Sequence, residues 1–244
     1  MQRLALAFIT ATLLATPVAA AEKGTLTDAQ KSEIRSMVRE YLIQNPEVIS
    51  EALAALENKT EKAKVDKRNA TIAANKQALF TPAEGTVIGN PKGDVTVVEF
   101  FDYNCGYCKQ MFASVVELLK EDPKMRLVLK EYPILGPSSV TASKAALAAR
   151  KQGKYSEVHL ALLSHKGALS DATVMDIVGK TGVDMKKLQS DMNDPAITDI
   201  LVKNHNLADE LSIDGTPSLI IGDAFVPGAI PKDKLVELIA AARK

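Results

Sequence analysis

The chain has 244 residues, with 30 Lys and Arg against 30 Asp and Glu, so its formal net charge is zero. Hydrophobic residues make up 46% and charged residues 25%, an ordinary globular composition that excludes general disorder and low-complexity character. The neutral balance argues against a nucleic-acid or anionic-membrane surface, since both need a strong basic excess. With only two cysteines, a disulfide-stapled mini-fold and a four-cysteine zinc site are also excluded.

Residues 1–21 read as a secretory signal. Arg3 gives a positive start, Leu4 to Thr16 is an uncharged, largely apolar run, Pro17 breaks it, and Val18-Ala19-Ala20-Ala21 supplies small residues for cleavage. The run is shorter than the roughly 20 apolar residues of a membrane span. No other stretch of the mature chain is a span candidate. Export implies an oxidising compartment, where paired cysteines cycle or persist as a disulfide. The short signal predicts the periplasm.

Residues 22–80 read as a helical arm and linker. Thr27 and Asp28 can cap a helix, and Ile34, Met37, Val38, Tyr41 and Leu42 then recur at amphipathic spacing. Asn45-Pro46 interrupts, with Pro46 suited to the first turn of a new helix, and Val48, Ile49, Ala52, Leu53 and Leu56 form a second stripe. From Glu57 the chain turns polar. Val65, Ile72 and Leu79 make a thin seven-residue repeat, so 58–80 is expected to be a solvated helix or helical linker. Two short amphipathic helices cannot bury their apolar faces alone. They either dock on the following domain or pack against copies of themselves, and the polar segment behind them favours a homo-oligomer, a dimer or trimer, built through residues 26–56.

Residues 81–244 change period. Val95 to Phe101 is a β-branched and aromatic run of the kind buried on both faces of a sheet. A helix is expected from about Gly106 to Lys120, and Met125 to Leu129 reads as a second strand, which makes a parallel βαβ unit. Residues 138–212 are helical in pattern. Ser218 to Ile221 and Ala224 to Val226 flank Gly222-Asp223, a two-residue hairpin signal. Pro231 opens a final helix. The order predicts an α/β thioredoxin-like fold with a helical insertion at about 138–212.

Both cysteines lie in Cys105-Gly106-Tyr107-Cys108, at the strand-to-helix junction that gives this motif its meaning. Cys105 falls at the helix N-terminus, where unpaired N–H groups and the helix dipole favour a thiolate. Cys108, one turn further in, is placed to resolve a mixed disulfide. A structural disulfide would close too short a loop to stabilise much. A metal site would need more ligands, and His159, His165 and His205 are remote in sequence. Neither a resident metal nor a cofactor is expected.

On these features the chain resembles the DsbA-like thiol-disulfide oxidoreductases of bacterial envelopes. The resemblance covers about residues 85–244 and includes Glu-Phe-Phe-x-x-x-Cys-x-x-Cys at Glu99 to Cys108, the helical insertion, and Thr216-Pro217 before a late strand. The arm is similar in arrangement to a subgroup, the suppressor-of-copper-sensitivity C-type and related proteins, in which an N-terminal helical extension makes the oligomer. The resemblance implies that Cys105 and Cys108 perform dithiol-disulfide exchange. It implies that Pro217 is cis, and that Thr216, Pro217, Gly106 and Tyr107 face the substrate. By residue type alone, Thr216-Pro217 could equally be a plain turn after Asp214-Gly215. Glu99 is a lone carboxylate in a buried strand, where desolvation should raise its pKa; in the family such an acid relays the proton of the inner cysteine, whereas the bland alternative is a partly open face. Lys130 either pairs with Glu99 or is a solvated strand end. The strongly oxidising prototype has Pro-His between its cysteines; Gly106-Tyr107 offers no positive charge, so a milder oxidant, nearer an isomerase's poise, is expected.

The expected function is a periplasmic thiol-disulfide oxidoreductase acting on exported proteins with cysteines and reset by a membrane redox partner, with isomerase placed ahead of oxidase. A copper-binding or thiol-protecting module using the two thiolates, and a structural or chaperone oligomer with a vestigial redox site, are the alternatives.

Overall fold

A computed structural model of the chain describes residues 26–243. The signal expected over residues 1–21 lies outside the described residues. Within them, no helix is long and apolar enough to cross a membrane. The chain divides into two compact units, one up to Lys59 and one from Thr60 to Lys244.

The first unit holds α1 (Asp28–Gln44) and the start of α2 (Glu47–Ala74). Thr27 caps α1 through a reciprocal capping box: its hydroxyl accepts from the Gln30 N–H, and the Gln30 side chain accepts from the Thr27 N–H. The Asn45 side chain donates back to the Tyr41 carbonyl at 2.9 Å and ends the helix where Pro46 follows. No residue of α1 is buried, and the apolar stripe of Ile34, Met37, Val38 and Tyr41 stands exposed. The second apolar stripe ends at Leu56, but its helix does not. Helix α2 runs on to Ala74 without a break, because residues 57–68 carry good helix formers and no Gly or Pro.

The second unit is built on a mixed five-stranded sheet. Its strands are β1 (Val87–Gly89), β2 (Val95–Phe101), β3 (Met125–Glu131), β4 (Ser218–Ile221) and β5 (Ala224–Pro227), in the order β1-β3-β2-β4-β5. Strands β2 and β3 are parallel and joined through α4 (Gly106–Glu121), as the βαβ reading requires. Strands β4 and β5 form the expected hairpin, with Gly222 at φ 61° in the turn. The three-residue β1, antiparallel to β3, is too short to leave a pattern in the sequence. Between β3 and β4 lies the insertion: α5 (Pro137–Ala149), a 3-10 turn, α6 (Tyr155–Ser164), α7 (Asp171–Gly179), α8 (Met185–Asp191) and α9 (Pro195–Glu210). Helix α10 (Lys232–Ala242) closes the chain.

Strand alternation sorts the core into two halves. On one face Val97, Phe101, Leu127 and Leu129 pack with Met111 and Val115 of α4 and with the insertion. On the other, Val98, Phe100, Val128 and Ile220 pack with Ile72, Leu79, Leu207 and Leu211. Ile72 of α2 and Leu79 of α3 (Lys76–Phe80), read from sequence as part of a thin linker stripe, are therefore core residues of the second unit. Arg68 fastens the same stretch, donating to the Leu211 carbonyl at 3.0 Å and lying 4.0 Å over the Phe225 ring. Leu79→Ala should cost about 2–5 kcal/mol in denaturant unfolding of the second unit. A change within about 0.5 kcal/mol, the range of surface substitutions, would show that the segment is only a linker.

Candidate active site

Strand β2 ends at Phe101, and three residues later the chain enters α4 with Cys105 as its N-cap. The Cys108 backbone N–H donates to Cys105 Sγ at 3.3 Å, so the sulfur satisfies one of the open donors at the helix start. Hydrogen bonding from the Cys108 thiol, helped by the Thr216 hydroxyl and the Cys108 and Tyr107 amides, outweighs burial and brings the Cys105 thiol down to about 6. Cys108 behaves oppositely. Its bond to Cys105, its full burial and the Glu99 charge push it far above the usual thiol range. One sulfur is thus an anion at neutral pH and the other keeps its proton. Cys105 also lies 3.1 Å from the carbonyl of Thr216, and the Thr216-Pro217 bond is cis. Gly106 and Tyr107 are both exposed, Tyr107 at 67%.

Glu99 is 4% exposed and sits on the α4 face of the sheet. Burial, with the nearby Cys105 charge, raises it to about 8, well into the range of a proton carrier at neutral pH. Lys130 does not join it. In the β2–β3 register Glu99 pairs with Leu129 and Phe100 with Lys130, so the two side chains leave opposite faces of the sheet. Nor is Lys130 a solvated strand end: it is buried, donates to the Ala78 carbonyl at 2.7 Å, and is lowered to about 8 by burial and by Arg126. With Arg126, which donates to the Phe80 carbonyl, it holds the last carbonyls of α3, the end of a helix that favours cations. Its place is structural.

The residues entering α4 are clamped in a way the sequence reading missed. Asp102 is fully buried and accepts from the Asn104 N–H, the Ser139 hydroxyl and the Ile134 and Leu135 N–H groups at 2.7–2.9 Å. Asn104 donates to Ser138 and Ser139 and accepts from the Leu169 N–H. Between them, the Tyr103 hydroxyl donates to Glu131, which also accepts from Tyr155 and Ser143 at 2.9 and 2.7 Å. His159 Nδ1 lies 3.1 Å from the same Tyr103 oxygen. Burial raises Glu131 to about 8 and lowers His159 to about 3, so the imidazole is neutral. Lys109, in α4, lies within electrostatic reach of Cys105 and Asp102.

Comparison with known proteins agrees with this geometry. Residues 96–240 match the DSBA-like thioredoxin domain, and residues 30–63 match the N-terminal domain of the copper resistance protein ScsC. The chain belongs to the DsbA-like thioredoxin family.

A thioredoxin-like oxidoreductase from Silicibacter pomeroyi is 45% identical, with a TM-score of 0.67 over 69% of this chain and 98% of that one. ScsC of Proteus mirabilis is 31% identical, with a TM-score of 0.66 over 89% and 97%. Matches among curated proteins include the Na(+)/H(+) antiporter NhaA 1 of Salinispora arenicola, 31% identical over 163 residues; the chain spans 25% of its length. Within the DsbA-like family fold, Cys105, Cys108, Glu99, Thr216 and Pro217 converge on one site, and Lys130 stands apart from it.

The two buried carboxyls carry a stability signature. Each binds its proton up to about pH 8 in the folded chain but only to about 4.5 as a free group, so between those values the native state holds protons the unfolded state has lost. Stability therefore falls as pH rises through that window. Glu99→Gln and Glu131→Gln should each flatten the decline in denaturant unfolding at a series of pH values. Slopes identical to wild type would show that neither carboxyl is neutral in the folded chain.

Proposed function

We propose that the protein is a periplasmic protein thiol-disulfide oxidoreductase that works as an oligomeric disulfide isomerase on exported proteins with cysteines. The observation that carries the reading is the Cys105 sulfur at the N-cap of α4, 3.3 Å from the Cys108 amide and 3.1 Å from the Thr216 carbonyl, with Cys108 buried one turn below. The Cys105 thiolate attacks one sulfur of a client disulfide, the Cys105–client bond forms, and the other client sulfur leaves as a thiolate. A client chain joined at Cys105 runs past Thr216, whose backbone can pair with it as an added strand. For shuffling, that freed thiolate or another in the client attacks the mixed disulfide and restores Cys105. For net reduction, the ionised fraction of Glu99 takes the Cys108 proton, and Cys108 attacks Cys105 Sγ and expels the second client thiolate. A membrane redox partner then resets the dithiol.

The isomerase assignment is supported by the arm. Ile34, Met37, Val38, Tyr41, Ile49 and Leu53 are all exposed in the single chain, an apolar stripe that a second copy would cover. An oligomer through residues 26–56 would present several thiolates to one client and hold it through repeated exchange.

Refolding of a scrambled multi-disulfide protein tests the reading. Wild type should restore its activity and Cys105→Ser should not. Met37→Glu with Tyr41→Glu, both exposed, should lower the solution mass to that of one chain and slow isomerisation while leaving oxidation of a reduced peptide intact. Rapid peptide oxidation without rescue of the scrambled protein would make the protein an oxidase, and a monomeric wild type would discard the assembly.

A further inference from the structure

Two grooves flank the exposed side of α4, and their chemistry differs. The one lined by Tyr107, Met111, Ile230 and Pro231 has no charged side chain in its wall. The other, about 690 Å³ in volume, begins at Gly106 beside the nucleophile and runs between α4 and the loop after α6. A Cβ at Gly106 would meet no atom within 4 Å beyond its chain neighbours and its own helix backbone, so this end is open to a passing chain. Phe112, Val116 and Leu163 give it apolar walls, while Lys109, Lys120 and Lys166 stand along it. Lys109 ties the two sides together by donating to the Gly167 carbonyl at 2.6 Å. Its single lining carboxylate, Glu117, is engaged by Lys232 at 2.9 Å, and no carboxylate among the described residues pairs with Lys120 or Lys166. The groove is therefore a cationic channel with apolar walls that starts at the residue next to the reacting cysteine.

We propose that this groove binds the client segment flanking the cysteine joined to Cys105, and that it selects segments in which Asp or Glu alternates with apolar residues. The inference rests on the thiol-exchange reading and names the client chemistry that this reading leaves open. Apolar side chains would cover Phe112 and Val116 while carboxylates meet the lysines. Opposite charge at such a rim acts mainly by raising the rate of encounter. On binding, the Cys105 thiolate attacks the client sulfur, and the group formerly joined to it departs as a thiolate.

The test uses three synthetic peptides with one cysteine each, carried as the mixed disulfide with nitrothiobenzoate, and with flanks rich in Glu, Gln or Lys. Release of coloured nitrothiobenzoate by the reduced full-length protein gives the rate of attack. The Glu peptide should react about tenfold faster than the Lys peptide at low ionic strength, and added salt should shrink the difference. Lys120→Glu with Lys166→Glu, both on the surface, should reverse the order while leaving the rate with the uncharged disulfide of mercaptoethanol unchanged. Equal rates for the three peptides, or an order that survives the charge reversal, would overturn the proposal. A wild-type protein that fails to react even with the mercaptoethanol disulfide would instead sink the exchange reading, and this inference with it.

Discussion

The hydrogen bond from the Cys108 amide to the Cys105 sulfur is the interaction on which the site depends. It exists because a cysteine occupies the N-cap of α4, where a helix offers donors with no partner of their own. The same four residues separate the two thiols chemically. The outer sulfur is stabilised as an anion, and the inner one, buried beneath it, is held neutral by the anion it donates to and by Glu99. Two identical side chains thereby acquire opposite roles in a dithiol reaction from position alone.

An N-cap works only if its backbone is held, and here the holding is done from outside the thioredoxin-like core. Asp102, Tyr103 and Asn104 each hydrogen-bond to the helical insertion or to the loop that leads into it. Glu131 extends this attachment from β3 through Ser143 of α5 and Tyr155 of α6. The insertion thus fixes the approach to Cys105 and supplies one wall of the lysine-lined groove. Buried polar networks of this kind specify a single geometry when every member is satisfied.

Much of this is legible in residue order. The Val95–Phe101 run, the Cys105–Cys108 spacing and the Gly222-Asp223 turn each act locally, so each leaves a local mark. Glu131 continues the inward alternation of Leu127 and Leu129, and reading the strand two residues further would have exposed it as a buried acid. Asp102, Asn104 and His159 were beyond reach, because their partners lie at long sequence separation and polar residues beside a turn look solvated. Lys130 shows the limit of pairing by proximity in sequence: strand parity, not distance along the chain, decides which face a side chain joins. Ile72 and Leu79 made too thin a stripe to be told from a linker until the far face of the sheet was seen to need them.

The central claim is that the Cys105 sulfur is an anion at neutral pH, and alkylation kinetics measure this directly. With Cys108 replaced by Ala, the Cys105 amide contacts remain but the Cys108 thiol is lost, so the wild-type chain is the one to follow, with the modified residue located by mass spectrometry. The rate of iodoacetamide attack at Cys105 should rise with a midpoint near pH 6, well below that of an ordinary cysteine. A midpoint at or above about 8.5, the value of a free thiol, would contradict it.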